Sequence, residues 1–266
     1  MLMLSVCPFP IEVWSNRMAL SLKQRLATVL MPAPLYYRGR IADEATWGEH
    51  ELYALDKFVQ RRGTAIDVGA NDGVFAFAFS RLVDQVEAFE PNPDYALFAR
   101  RMLGRRAHVR EVALANRTGA AEFIVPLSDD GTVLHLGGSL QQSSQAQANV
   151  LRFDVVVRTL DSYAFKDVRV IKIDVEGSEM DVLQGGRETI QRYRPPLIVE
   201  LLTGTHANPI DLTQAICRTY GYAAWIVTKE GALVEALPVM HSLGNNTTWG
   251  SPIRNRNVVF LRSDGP

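Results

Sequence analysis

From Thr64 onward, short apolar runs alternate with longer segments of mixed polarity. The runs are Thr64–Val68, Gln85–Phe89, His108–Ala113, Val168–Asp174 and Leu197–Leu201. Helix-length segments begin at Asp72, Pro93, Ser178 and Ile210. This alternation predicts an α/β layer structure around a mainly parallel sheet. The stretches "GYAAWIVTKEG" and "RNVVFLRS" read as a closing strand pair. Gly119–Arg158 adds two strands, Ala121–Pro126 and Phe153–Arg158, around a polar stretch, "GGSLQQSSQAQAN". With strands on both sides, that stretch reads as a loop within one domain. Before Thr64 the pattern predicts two helices, about Asn16–Met31 and Thr46–Arg62, with the proline-containing Pro32–Arg40 as their connector. The expected organisation is a helical extension or lid over residues 1–62 and one α/β domain over 63–266.

Composition narrows the class. The chain has 266 residues, enough for a sizeable core, and its 28 Lys and Arg nearly balance 29 Asp and Glu. A nucleic-acid partner is therefore not implied. The cluster Arg100, Arg101, Arg105 and Arg106 lacks interleaved aromatics and reads as a solvated helix face. There are two cysteines, Cys7 and Cys217, which fit a reducing compartment better than a disulfide framework. The opening "MLMLSVCPFPIEVW" has no basic leader and is interrupted by Pro8 and Pro10, so it reads poorly as a signal peptide. No apolar run reaches membrane-span length. The expectation is a cytoplasmic protein with no membrane span.

Candidate chemistry begins at "TAIDVGANDGVFAFAFSRLV". Asp67, Gly69 and Gly73 lie at the mouth of the first strand, with Ala70 and Asn71 between the glycines. Glycine after a strand permits a tight turn and close approach of a ligand to the backbone. The helix start that follows is expected to offer unpaired amides. This is a nucleotide-type site at the carboxyl end of a sheet. The G-x-G-x-x-G dinucleotide fingerprint is absent, and Asp67 would oppose a pyrophosphate. It suits a ligand with positive charge, such as S-adenosylmethionine, which carries an ammonium and a sulfonium. Glu90, in "EAFEPNP" after the second strand, stands where an acid accepts from ribose hydroxyls in such folds.

A second constellation lies in "VIKIDVEGSEMDVLQGG". Lys172, Asp174 and Glu176 alternate with Ile173 and Val175, so an extended chain puts the three charges on one face. Burying them is costly, which places them at the open end of the strand, over the cofactor. Glu200 in "PPLIVELL" repeats the pattern on the next strand. The other reading is that Lys172 neutralises Asp174 or Glu176 in a structural ion pair. Met180, Leu183 and Ile190, and Phe75, Phe79 and Leu82, are helix-spaced and read as core. His135, His206 and His241 are isolated and read as surface or packing residues.

Together, "IDVGANDG", "FEPNP", "RTLDSY", "IKIDVEGSEMDVLQGG" and "PPLIVEL" resemble the FkbM family of S-adenosylmethionine-dependent methyltransferases, over about Ala65 to Tyr222. The resemblance implies a class I methyltransferase fold, Rossmann-like. Its sheet has seven mostly parallel strands, with helices on both faces and an antiparallel last strand. It implies methyl transfer to a hydroxyl of a sugar, glycolipid, polyketide or other secondary metabolite. It implies that Asp67, Gly69 and Gly73 face the methionine end, Glu90 the ribose, and Ala113, in "EVALANRTG", the adenine.

A hydroxyl acceptor must lose its proton. The base could be Asp174, Glu176 or Glu200, or His241 if "MHSLGNN" folds over the site as a loop. Lys172 could lower the acceptor's pKa or orient Glu176. Asp174 and Glu200 could instead hold Mg²⁺, although the chain has no Cys/His spacing for zinc. Two rival readings are a nicotinamide-dependent oxidoreductase with an atypical glycine loop and a non-catalytic binding module. Asp67 and the missing third glycine argue against the first. The joint presence of Asp67, Glu90, Asp174 and Glu176 argues against the second.

Overall fold

A computed structural model describes residues 20, 22–126, 150–201, 208–243 and 257–263. Its main sheet has eight strands among these residues: β1 (Thr64–Val68), β2 (Gln85–Phe89), β3 (His108–Arg110), β7 (Val168–Ile173), β8 (Leu197–Glu200), β9 (Tyr222–Val227), β10 (Leu233–Glu235) and β11 (Asn257–Arg262). Their order is β10-β9-β11-β8-β7-β1-β2-β3. Neighbours from β3 to β8 pair in parallel, and β11 runs antiparallel to both β8 and β9. The extra strand relative to the expected seven is β10, a short antiparallel edge on β9.

Continuous apolar runs suit strands buried on both faces. All five residues of β1 are buried. Alternation along β1 sends Ala65 into one apolar cluster and Ile66 and Val68 into another. The first cluster is covered by α2 (Ala33–Trp47), α4 (Val74–Phe79) and α5 (Pro93–Leu103), through Tyr37, Phe75, Phe79, Phe98 and Leu103. The second is covered by α6 (Glu179–Gly185), α7 (Arg187–Tyr193) and α8 (Pro209–Tyr220), through Leu183, Ile190 and Ile216. Phe75, Phe79, Leu183 and Ile190 are core as expected, and Leu82 and Met180 pack against it half-buried.

Three expectations fail. Pro32–Arg40 is not a connector. Pro32 is the N-cap of α2 and Pro34 occupies its first turn, where a missing N–H costs nothing. The true connector lies between α1 (Leu22–Leu30) and Ala33. The helix expected over Thr46–Arg62 is broken instead: α2 ends at Gly48, a 3₁₀ turn spans His50–Tyr53, and α3 is only Leu55–Phe58. The third failure is His108–Ala113. The chain leaves the main sheet after Arg110, and Ala113–Leu114 form β4 of a separate sheet with β5 (Gly119–Pro126) and β6 (Val150–Arg158). The polar stretch between β5 and β6 lies outside the described residues.

Strand order sets the site. The chain moves outward from β1 through β2 to β3, then returns to place β7 on the other side of β1. The crevice beyond the carboxyl ends of β1 and β7 is therefore the switch point of the sheet, where ligands bind in open α/β folds.

Candidate functional site

The turn after β1 is held on two sides. The N–H groups of Gly69 and Ala70 donate to the Phe89 carbonyl, at 2.9 and 3.0 Å, and Asp174 N–H donates to Val68 O at 3.0 Å. Gly69 has φ 78°, and a Cβ there would lie 1.7 Å from the Asp174 carbonyl oxygen. Glycine is thus demanded by the tight turn, as the sequence suggested, and also by the neighbouring strand end. Asn71 also has a positive φ of 50°, and its N–H donates to Glu90 Oε2 at 2.7 Å. Gly73 closes the turn through N–H to Ala70 O, 2.8 Å. It caps α4, a helix of only six residues.

Asp67 is buried at 1% exposure, and its Oδ2 has no hydrogen-bond partner among the described residues. The carboxylate accepts from the Ala76 N–H, so part of the amide supply expected at the helix start is already used. Burial pushes Asp67 up to about 7, against the pull of Lys172. Glu90 follows β2 and is also buried. Its Oε1 accepts from Asn92 N–H at 2.8 Å, yet burial still lifts it to about 7. Each oxygen keeps a second lone pair for a ligand hydroxyl.

Asp67 pairs across the ladder with Lys172, so both point to the same face. Lys172 does not lie at the open strand end. It sits within β7 at 1% exposure, with Nζ 2.9 Å from Asp174 Oδ2 and 4.9 Å from the centre of the Phe75 ring. Of the two readings open in the sequence, the ion pair forms with Asp174. Burial would discharge Lys172, but Asp174, Glu49 and Glu200 outweigh it and hold the ammonium charged. The extended alternation stops at Ile173, because Glu176 has φ 53°. Even so, carboxylate oxygens of Asp174, Glu176 and Glu200 lie within 4.8 Å of one another. Burial first, then Asp174, raises Glu200 well above the usual carboxylate range, and the two carboxyl groups share a hydrogen bond.

This trio is the group among the described residues with metal-ligand potential, and it adds Glu176 to the pair expected to hold Mg²⁺. Lys172 already supplies a cation at Asp174 Oδ2. Ala113 lies in β4, buried and paired with Val157. His241 is on α9 (Ala236–Leu243), a helix rather than the expected loop, and is exposed there. His135 and His206 lie outside the described residues.

Sequence reasoning missed a second tier. Glu49 Oε2 accepts from Asn257 Nδ2 at 2.5 Å, and Glu51, wholly buried, takes the same donor at 3.3 Å. Burial, then Glu49, pushes Glu51 up to about 8. Asn257 is the register partner of Glu200, which sets these acids beside the trio. Asp72, buried at 2%, is gripped by α2 through Tyr36, Tyr37 and Arg40. The i, i+4 spacing of Tyr36 and Arg40 signals a shared helix face only once Pro32–Arg40 is read as a helix. Nothing local announces Glu49, Glu51 or Asn257.

The residues fit S-adenosylmethionine. A buried carboxylate oxygen lacking a donor suits an ammonium and repels a pyrophosphate, and Glu90 offers lone pairs one strand away. The sequence profile of the Methyltransferase FkbM domain matches residues 67–222, more than half of the chain. The 2-O-methyltransferase NoeI of Sinorhizobium fredii (strain NBRC 101917 / NGR234) is 33% identical over 48% of this chain and 59% of its own length. The crystal structure of Methyltransferase FkbM from Methylobacillus flagellatus KT superposes with a TM-score of 0.50 at 17% identity. That match covers 79% of this chain and 47% of the other. The chain thus spans about half to three fifths of these relatives. The nicotinamide reading falls to these matches, and the fold is that of class I methyltransferases. With a matched span that runs from Asp67 past Glu200 and so takes in Glu90, Asp174 and Glu176, the chain belongs to the FkbM methyltransferase family.

Proposed function

We propose that the protein is an S-adenosylmethionine-dependent O-methyltransferase acting on a hydroxyl of a sugar or another small metabolite. The observation that carries this reading is the pairing, at one switch point, of the unpartnered Oδ2 of the buried Asp67 carboxylate with a converged acid trio. The 2-O-methyltransferase similarity supports oxygen as the acceptor atom. The division into an extension over 1–62 and a domain over 63–266 is part of the proposal. So is a cytoplasmic location. No helix among the described residues is long and apolar enough to cross a membrane.

S-adenosylmethionine supplies a methyl group already activated on a sulfonium, so the protein's work is alignment and proton handling. In this reading Asp67 receives the ammonium and Glu90 the ribose. The turn of Gly69, Ala70, Asn71 and Gly73 shapes the wall between them, and Ala113 borders the adenine. Asp174 is the fixed charge, held by Lys172 at 2.9 Å. Glu200 keeps a proton and shares it with Asp174. Glu176 takes the proton from the acceptor hydroxyl as the bond to carbon forms. Lys172 supplies the cationic partner at Asp174, so no metal is assigned to the step. Calorimetry with S-adenosylhomocysteine, followed by turnover against a panel of sugars and hydroxylated metabolites, tests the proposal. Absence of binding by the folded protein would overturn it.

A further inference from the structure

The helix that precedes the family-matched region grips the turn proposed to carry the cofactor. Asp72 sits inside that turn, between Asn71 and Gly73. Its Oδ2 accepts from Tyr36 Oη at 2.9 Å and from Arg40 Nε at 2.7 Å. Its backbone carbonyl accepts from Tyr37 Oη at 2.8 Å. All three donors come from one stretch of α2, more than thirty residues earlier in the chain. Tyr37 is itself fixed: its ring is fully buried and stacks on Phe77 at 4.6 Å and 17°. Gly73 approaches it so closely that a Cβ would lie 3.0 Å from Tyr37 Oη. Arg40 is braced in turn by Glu44 at 2.5 Å.

The consequence lies one residue upstream. Asn71 holds a left-handed conformation, which asparagine accepts more readily than most non-glycine residues. In that conformation its N–H meets Glu90 Oε2. With Asp72 pinned by α2 and Gly73 seated on Tyr37, the two residues that follow Asn71 are fixed and leave it little freedom to relax. Two charge-assisted contacts on a buried carboxylate resist opening of the turn.

We propose that Tyr36, Tyr37 and Arg40 are positioning residues: through Asp72 they set the backbone of residues 71–73 and, through Asn71, the orientation of Glu90. This rests on the reading that this turn and Glu90 hold S-adenosylmethionine. The cofactor site is then completed by a segment outside the family-matched span.

The test uses the full chain. Tyr37→Phe keeps the ring stack and removes one donor. Arg40→Met removes the charge, and Arg40→Lys restores it without the planar fork. Ala45→Gly, at a buried position of α2 away from the turn, loosens the same helix and serves as the control. Two readouts are taken: hydrogen exchange at the amides of residues 71–73 in ligand-free protein, and calorimetric affinity for S-adenosylhomocysteine. Tyr37→Phe and Arg40→Met should speed exchange at these amides about ten-fold and weaken binding about ten-fold, with partial recovery in Arg40→Lys. Ala45→Gly should lower the melting temperature and leave both readouts near wild type. Wild-type exchange at residues 71–73 in both Tyr37→Phe and Arg40→Met would overturn the proposal. Equal effects from Ala45→Gly would overturn it too, as general loosening. If the wild type binds no S-adenosylhomocysteine, the cofactor reading fails, and the exchange measurement alone decides whether α2 positions the turn.

Discussion

Gly69 and Asp174 approach so closely that any side chain on Gly69 would strike the Asp174 carbonyl oxygen, at 1.7 Å from a Cβ. The turn after the first strand and the end of the seventh are therefore one packed unit. A methyl group, not a bulky one, is enough to part them. Gly69→Ala should cost roughly 3 kcal/mol or more, from the clash and from a φ unsuited to alanine, at the upper end of single substitutions. Thermal unfolding checks this. A Gly69→Ala protein that melts like wild type would show that the two strand ends can separate freely.

Asp67→Asn keeps the shape and removes the charge. Affinity for S-adenosylmethionine should fall by about 1.5–3 kcal/mol, the worth of a charged hydrogen bond. Wild-type affinity should climb as pH rises toward 7 and beyond, because burial holds Asp67 protonated up to about 7. Calorimetry across this range should give a slope for wild type and a smaller one for Asp67→Asn.

Stability should respond to pH in the opposite direction. Asp67 and Glu90 are both pushed up to about 7 by burial, so between the usual carboxylate range and 7 the folded chain binds more protons than the unfolded one. Their contribution is fully present at acidic pH and is lost as pH rises through about 7. Denaturant melts from pH 5 to 8 should show this loss, reduced in Asp67→Asn.

Lys172→Met replaces the buried ammonium with an apolar chain of similar length. Asp174, Glu49 and Glu200 would lose their shared counter-charge. Removing one partner of such a buried set costs about 3–5 kcal/mol. The deficit should shrink at acidic pH, where the acids can neutralise by protonation. A constant deficit across pH would mean that Lys172 acts by packing on Phe75 alone.

Asp174→Asn and Glu176→Gln should leave S-adenosylhomocysteine affinity nearly intact and lower turnover by roughly 10²–10⁴. EDTA should leave the wild-type rate unchanged, since the cation at Asp174 belongs to Lys172. Wild-type turnover in both variants would make these acids structural.

Much of the sheet could be read along the chain. Thr64–Val68 and Gln85–Phe89 stand in the structure with the bounds that the sequence pattern marked. The acids at strand ends were equally visible, since a charge closing an apolar run must reach the rim. Other features were hidden by distance or by habit. The prolines of α2 suggested a break, although the first helical turn accepts them. Lys172 lies inside a core where lysine is rarely found, tolerable only because of Asp174 at the end of its own strand and Glu49 and Glu200 from two other segments. Glu49 meets Asn257 across 208 positions, and no local pattern encodes such a meeting.

The place of β11 has a consequence for how the molecule comes into being. This strand is synthesised after both of its neighbours, β8 and β9, and slots between them antiparallel to each. Until it emerges from the ribosome, β8 and β9 cannot be joined, and each shows a bare edge of the kind that invites pairing with another chain. The Gly69 turn and the Asp72 grip involve only residues made long before. Asn257, which links Glu49 and Glu51 to the rim of β8, enters with β11. The half of the site proposed to hold the cofactor can thus form on a nascent chain, and the acid half is sealed by the strand that joins β8 to β9.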